Sequence, residues 1–215
     1  STINALPSTM SVLEITLTFK RIAEDFRPFN VNVTTDVTRF NNAQPNSRVR
    51  VIFTPTSAWY GAAGGVAFLD CFNWGGTPGT PCWVFDSYLG NNKTDSEAGS
   101  HEIGHTLGLY HQSTYTNPPN CVKTDEYNPG TGTGVIGWAP IMGVGYYQNV
   151  TTWFNGTSSA GCTIMQLDHG STWPGITSSG FLNFLPDDIG NTFATGKILN
   201  LNTTAVLDSG IITTP

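Results

Sequence analysis

Three histidines, His101, His105 and His111, stand in the stretch HEIGHTLGLYH with Glu102 directly after the first of them. On a helix, residues four apart share a face about one turn apart, so His101 and His105 can present two imidazole nitrogens to one point. Nitrogens so placed can hold one Zn²⁺ at roughly 2 Å each. His111 lies six residues beyond His105, where a continuous helix would turn it off that face. Gly108 supplies the break, because glycine takes a positive φ and ends a helix in a left-handed turn. With the chain doubled back, His111 completes a three-histidine set and leaves a coordination position open, as a catalytic zinc requires. Glu102, off the ligand stripe, has the chemistry of a general base for a metal-activated water.

The elements that must position these groups are also marked. Thr94 and Glu97 stand three apart and predict a capping box at the start of the helix. Asp95 and Glu97 place negative charge at the positive end of its dipole. Leu107 and Leu109 are the candidate core anchors. Upstream, Val12, Ile15, Phe19, Ile22 and Phe26 recur three or four apart after Ser11, which predicts an amphipathic helix ending before Pro28. Strands are predicted over 29–35, 49–54, 66–72 and 82–85, and a long loop over 112–136. A loop of that length needs a reason, and closing over a site is one.

The stretch HEIGHTLGLYH, followed by Ala139-Pro140-Ile141-Met142-Gly143, resembles the long zinc motif HExxHxxGxxH and the Met-turn of the metzincin zinc peptidases. The nearer resemblance is to the adamalysin-like (reprolysin-like) secreted peptidases, carried by residues 23–36, the histidine stretch and residues 137–156. Gln112 stands where adamalysins proper carry Asp. The resemblance implies an α+β, metzincin-like fold. In it a twisted mixed sheet carries an antiparallel edge strand over the cleft, above a long zinc-binding helix and a loop-rich C-terminal subdomain with a Met-turn. A peptide substrate would add to the edge strand as a further antiparallel strand. Met142 would then pack beneath the histidines rather than bind metal. Gly143, Tyr146 and Tyr147 are candidate pocket residues, with Tyr146 also a candidate oxyanion helper. The implied domain spans 11–195, with the cleft between 11–111 and 112–195. Residues 1–10 would be a linker or processed end, and residues 196–215 a tail or the start of a following β module.

The composition bounds these readings. The chain has 215 residues, 39% hydrophobic and 11% charged, with 24 glycines and a formal net charge of −6. That suits a loop-rich globular domain, expected as a monomer, and disfavours nucleic acid as a partner. No apolar run approaches the roughly 18 residues of a membrane span. Four cysteines allow three pairings. Cys71 and Cys82 flank a Gly/Pro-rich loop and are expected to pair, leaving Cys121 with Cys162; two disulfides imply a secreted protein. Asp187 and Asp188 are a candidate Ca²⁺ pair, since hard cations take clustered carboxylates; a solvated turn is the plainer alternative. The function expected is zinc-dependent endopeptidase. The alternative is a non-catalytic protein- or glycan-binding module on the same scaffold, using Trp74, Trp138 and Trp153.

Overall fold

The computed structural model describes residues 3–75, 80–117, 119–172, 174–178 and 180–186. Asp187, Asp188 and residues 196–215 lie outside them, and so do the calcium and tail expectations. Helix α1 (Val12–Asp25) begins where the apolar period begins. Ser11 caps it, its hydroxyl accepting from the Glu14 backbone while the Glu14 carboxylate accepts from the Ser11 N–H at 2.8 Å. This reciprocal box satisfies two donors that a helix start otherwise leaves unpaired. A short helix α2 (Val37–Asn42), capped by Asp36, follows. Strands β1 (Val51–Phe53), β2 (Gly65–Val66) and β3 (Cys82–Val84) form one sheet in the order β1-β3-β2, with β1 parallel and β2 antiparallel to the central strand. After a single-turn helix, α3 (Asp86–Leu89), comes α4 (Asn92–Thr106), which carries His101 and His105.

Three expectations need correction here. Helix α4 is capped by Asn91, whose side chain accepts from the N–H groups of Lys93 and Thr94. Thr94 sits inside the first turn with its hydroxyl on Leu89 O at 2.7 Å, so the Thr94/Glu97 box does not form. Residues 29–35 are not a strand. Their alternation places Val31 and Val33 against the core, but the only ladder contact described is the bridge from Phe29 to Phe184. The strand expected over 66–72 stops at Val66, because residues 70–72 turn away to serve another element. The N–H groups of Asp70 and Phe72 donate to His105 O and Thr106 O, both at 2.9 Å, and satisfy carbonyls at the end of α4.

The second half is tied together by short pairings. Strands β4 (Thr114–Tyr115) and β5 (Lys123–Asp125) form an antiparallel hairpin within the stretch expected to be a loop. Strands β6 (Trp138–Pro140) and β7 (Val150–Thr152) are parallel, and β8 (Asn155–Thr157) and β9 (Met165–Leu167) antiparallel. Cys121 and Cys162 are joined in a disulfide, as expected. The second expected bridge is absent: Cys71 and Cys82 are both unbonded and buried. Cys71 is held by its neighbours' bonds to α4, and the Cys82 sulfur faces Arg50 O at 3.8 Å. Burial pushes Cys71 up to about 11 and Cys82 well above the ordinary thiol value, so both remain protonated.

The core runs beneath α4. Ile22, Phe26 and Phe29 from the first segment meet Leu107, Leu109, Ile141, Met142 and Trp153. Fully burying side chains of this size contributes about 1.5–3 kcal/mol each relative to exposure. An apolar cavity of about 760 Å³ opens between α1 and residues 31–53; it takes Ile103 from α4 but none of the three histidines. No helix among the described residues is long and apolar enough to cross a membrane.

Helices α1 and α4 are also joined by a polar contact. Ser100 donates to Asp25 Oδ2 at 2.5 Å, and the Trp153 indole N–H donates to Asp25 O at 2.7 Å. Burial raises the Asp25 carboxyl from 3.8 to about 7, with Glu97 and Glu24 adding to it against the Ser100 bond. Between those values the folded chain holds a proton that the unfolded chain has released. Stability from this group is therefore complete below the lower value and is lost as pH rises through the upper one. Asp25→Asn should flatten the decline in melting temperature across this window; parallel profiles for variant and wild type would contradict the assignment.

Candidate metal centre

Helix α4 is buried on most of its circumference, including Ser96, Ser100, Glu102, Ile103 and Thr106. It ends at Thr106, Leu107 forms the C-cap, and Gly108 takes φ +94 as the turn requires. Leu107 and Leu109 are buried anchors at 1% and 0% exposure, which fixes the path to His111. The result is a cluster in which one ligand atom from each of His101, His105 and His111 lies within 4.8 Å of the others.

Each imidazole has its Nδ1 committed elsewhere. His101 Nδ1 lies 2.8 Å from Ile141 O, and His105 Nδ1 lies 2.6 Å from Leu109 O. His111 Nδ1 lies 2.7 Å from Glu126 Oε1. All three partners are acceptors, so each Nδ1 carries the hydrogen, and in the neutral form of each ring it is Nε2 that holds the lone pair. Burial, and then the neighbouring histidines, hold His101 well below the ordinary imidazole value; burial and His111 lower His105 to about 4. Neutral imidazoles with convergent lone pairs are what a divalent cation needs, so the donor set fits zinc. Asp95 and Asp168 are not in the cluster, so neither carboxylate closes the site with a fourth ligand.

The turn that gives His101 its acceptor also supports the helix from below. Gly143 N–H donates to Pro140 O at 2.9 Å, and Met142 within this turn is fully buried. A Cβ on Gly104 would lie 2.5 Å from the Met142 sulfur and 3.2 Å from the Trp153 ring. Gly104 is thus the close approach that lets α4 settle on Met142.

A buried polar network fixes the residues flanking His111. Tyr110 N–H donates to Gln166 Oε1 at 2.9 Å, and Gln166 Nε2 donates to Tyr110 O at 2.7 Å and Asp168 Oδ1 at 2.9 Å. Gln112 Nε2 donates to Phe154 O at 2.7 Å, while Phe154 N–H donates to Asp168 Oδ2 at 3.0 Å. Burial raises Asp168 to about 7 in spite of these donors.

Around the cluster, Glu102 is 7% exposed and its Oε2 has no hydrogen-bond partner among the described residues. Burial pushes its carboxyl up to about 8. A Cβ on Gly65 in β2 would fall 2.7 Å from Glu102 Oε1, so the strand passes directly over the carboxylate. Tyr146 is half-buried, and a Cβ on Gly64 would meet its hydroxyl at 2.7 Å. Tyr147 is 90% exposed, and Gly143 packs on Asn128 O. Sequence reasoning missed Glu126 and also Tyr127, whose ring centre lies 4.4 Å from that of His111. Neither falls at a ligand spacing; the only signal was the unexplained length of the segment after His111.

Comparison with protein-family models, with curated proteins and with solved structures returns no match. The site therefore rests on its own geometry.

Two outcomes follow from that geometry. The wild type should bind about one zinc per chain, and His105→Ala or His111→Ala should release it, since two ligands hold zinc poorly; inductively coupled plasma measurement of the dialysed proteins decides it. Gly104→Ala should lower stability by about 1–3 kcal/mol through overpacking against Met142. An unchanged urea midpoint would mean that the helix can lift off the sulfur at no cost.

Proposed function

We propose that the chain is a secreted zinc-dependent endopeptidase of the metzincin type, closest in kind to the adamalysin-like peptidases. The observation that carries the reading is the cluster of three imidazoles together with a buried, partnerless carboxylate oxygen on Glu102, the residue next to His101. A structural zinc would be closed by a fourth protein ligand, and the cluster offers three. When bound, zinc would polarise the scissile carbonyl and acidify a water. Glu102 would accept a proton from an attacking water at its free carboxylate oxygen and pass it to the leaving amine. A dication nearby favours the ionised carboxylate and offsets the effect of burial on Glu102.

The rest of the assignment follows the same surfaces. Strand β2 lies at the edge of its sheet, paired only with β3 among the described residues, and Gly65 brings it against Glu102. A peptide added antiparallel to that edge would pass the carboxylate. The tight turn at Met142 supports the reading as a Met-turn, with the thioether packed under Gly104 rather than aimed at metal. Tyr146 and Gly143 remain the proposed pocket wall. The Cys121–Cys162 disulfide supports a secreted protein. The binding-module alternative loses one of its three tryptophans, because Trp153 is buried in the core with its N–H on Asp25.

Glu102→Ala should keep its zinc and lose turnover by about 10²- to 10⁴-fold, the usual contribution of a general base. Bound zinc and cleavage of denatured casein, measured side by side, test it. Loss of zinc in this variant would make Glu102 a ligand, and full turnover would place the chemistry elsewhere.

A further inference from the structure

His111 differs from the other two histidines in what holds it. His101 and His105 sit on a helix and donate to backbone carbonyls. His111 lies beyond the helix, and its acceptor is a side-chain carboxylate fifteen residues further along the chain. That carboxylate is brought back by the β4–β5 hairpin. Both of its oxygens are engaged, Oε1 on His111 Nδ1 at 2.7 Å and Oε2 by Lys123 Nζ at 2.6 Å. Its backbone is fixed as well, since the Ser113 hydroxyl donates to Glu126 O at 2.5 Å and Asn128 N–H donates to Gln112 O at 2.7 Å.

The hairpin is fastened from the far side. Tyr115 Oη donates to Ser158 O at 2.9 Å, and Ser113 N–H donates to Thr157 O at 2.9 Å. Ser159 N–H donates to His111 O at 2.8 Å. Cys121, between the two strands, is covalently joined to Cys162, three residues past Ser159. The Glu126 side chain is 43% exposed, against 22% for His111. Water competes for such a carboxylate, so its place on His111 depends on the hairpin being held.

We propose that Glu126 is the positioning residue of the third ligand, and that the β4–β5 hairpin with its Cys121–Cys162 link is the clamp that keeps it there. A carboxylate accepting from Nδ1 fixes the tautomer and ring angle of His111 and so aims its Nε2 at the metal position. This rests on the reading of the triad as a metal centre and is independent of what the centre catalyses. Opening the disulfide would loosen the third ligand without touching any histidine.

The test is zinc affinity by chelator competition for the wild type, Glu126→Ala, Glu126→Gln, the Cys121→Ser/Cys162→Ser pair and that pair combined with Glu126→Ala. Melting of the metal-free proteins serves as the control for folding. Glu126→Ala should bind about 10- to 100-fold more weakly, the usual loss for such a partner, while its metal-free melting temperature stays that of the wild type. Glu126→Gln keeps an acceptor oxygen without the charge and should fall between the two. The cysteine pair should also weaken zinc binding, and the combined variant should be no weaker than Glu126→Ala, because both act through one contact. Unchanged affinity in Glu126→Ala would overturn the positioning role. Additive losses in the combined variant would overturn the clamp. A wild type that binds no zinc would overturn both, together with the metal-centre reading, whereas zinc binding without peptide cleavage would sink only the peptidase.

Discussion

Three imidazoles can converge their Nε2 lone pairs only if each gives its Nδ1 hydrogen to an acceptor facing the other way. That constraint reaches through most of the second half of the structure. The carbonyl of Ile141 serves His101, that of Leu109 serves His105, and the carboxylate of Glu126 serves His111. Each acceptor comes from a different segment: the turn after β6, the reversal after α4, and the end of the β4–β5 hairpin. Loss of any one would free a ring to rotate or change its tautomer.

Burial of the helix that carries two of the rings is the second demand. Helix α4 runs through the interior with polar Ser96, Ser100, Glu102 and Thr106 on its buried surface. Unpaired polar atoms there cost about 1–3 kcal/mol each. Ser100 answers with Asp25, while the Ser96 and Thr106 hydroxyls donate to carbonyls within the helix. Glu102 Oε2 has no such partner among the described residues, and neither has Asp95 Oδ1 in the first turn of the same helix; the Glu102 oxygen is the one on a residue next to a histidine of the cluster, where the proposed chemistry would use a free acceptor. The same logic separates Glu102 from Asp168. Both are buried with raised carboxyl values, but Asp168 receives donors from Gln166 and Phe154 and serves only to hold the backbone.

The sequence showed the site more clearly than the scaffold, for a physical reason. Ligand spacing and a helix-ending glycine are local, so His101, His105, His111 and Gly108 were legible, and so were the anchors Leu107 and Leu109. The amphipathic run of α1 was long enough to show its period. The strands, at two or three residues, were not: a period of two needs several repeats to be seen. Residues 29–35 show the converse error, since an extended chain lying on a core alternates like a strand without having a ladder. The Thr94/Glu97 spacing also misled, since the helix starts earlier, at a cap supplied by Asn91. The cysteines divided similarly, as distance along the chain does not report which way a sulfur faces.

The stretch between His111 and the Met142 turn is held more by individual contacts than by regular structure. By sequence it is a segment without a period, of a kind that in a compact domain calls for an explanation. Its contacts supply one that differs from a lid. The hairpin is not free; its ends meet at Ser113 and Glu126 beside His111, and its linker is bonded to the 158–164 turn. Tyr127, next in the chain, then lies against the ring of His111. A helix can place two ligands by its own geometry, but a third one on a reversed chain has no such frame. The hairpin builds that frame from side-chain hydrogen bonds and a covalent link, and this accounts for a long connection held by so little regular structure.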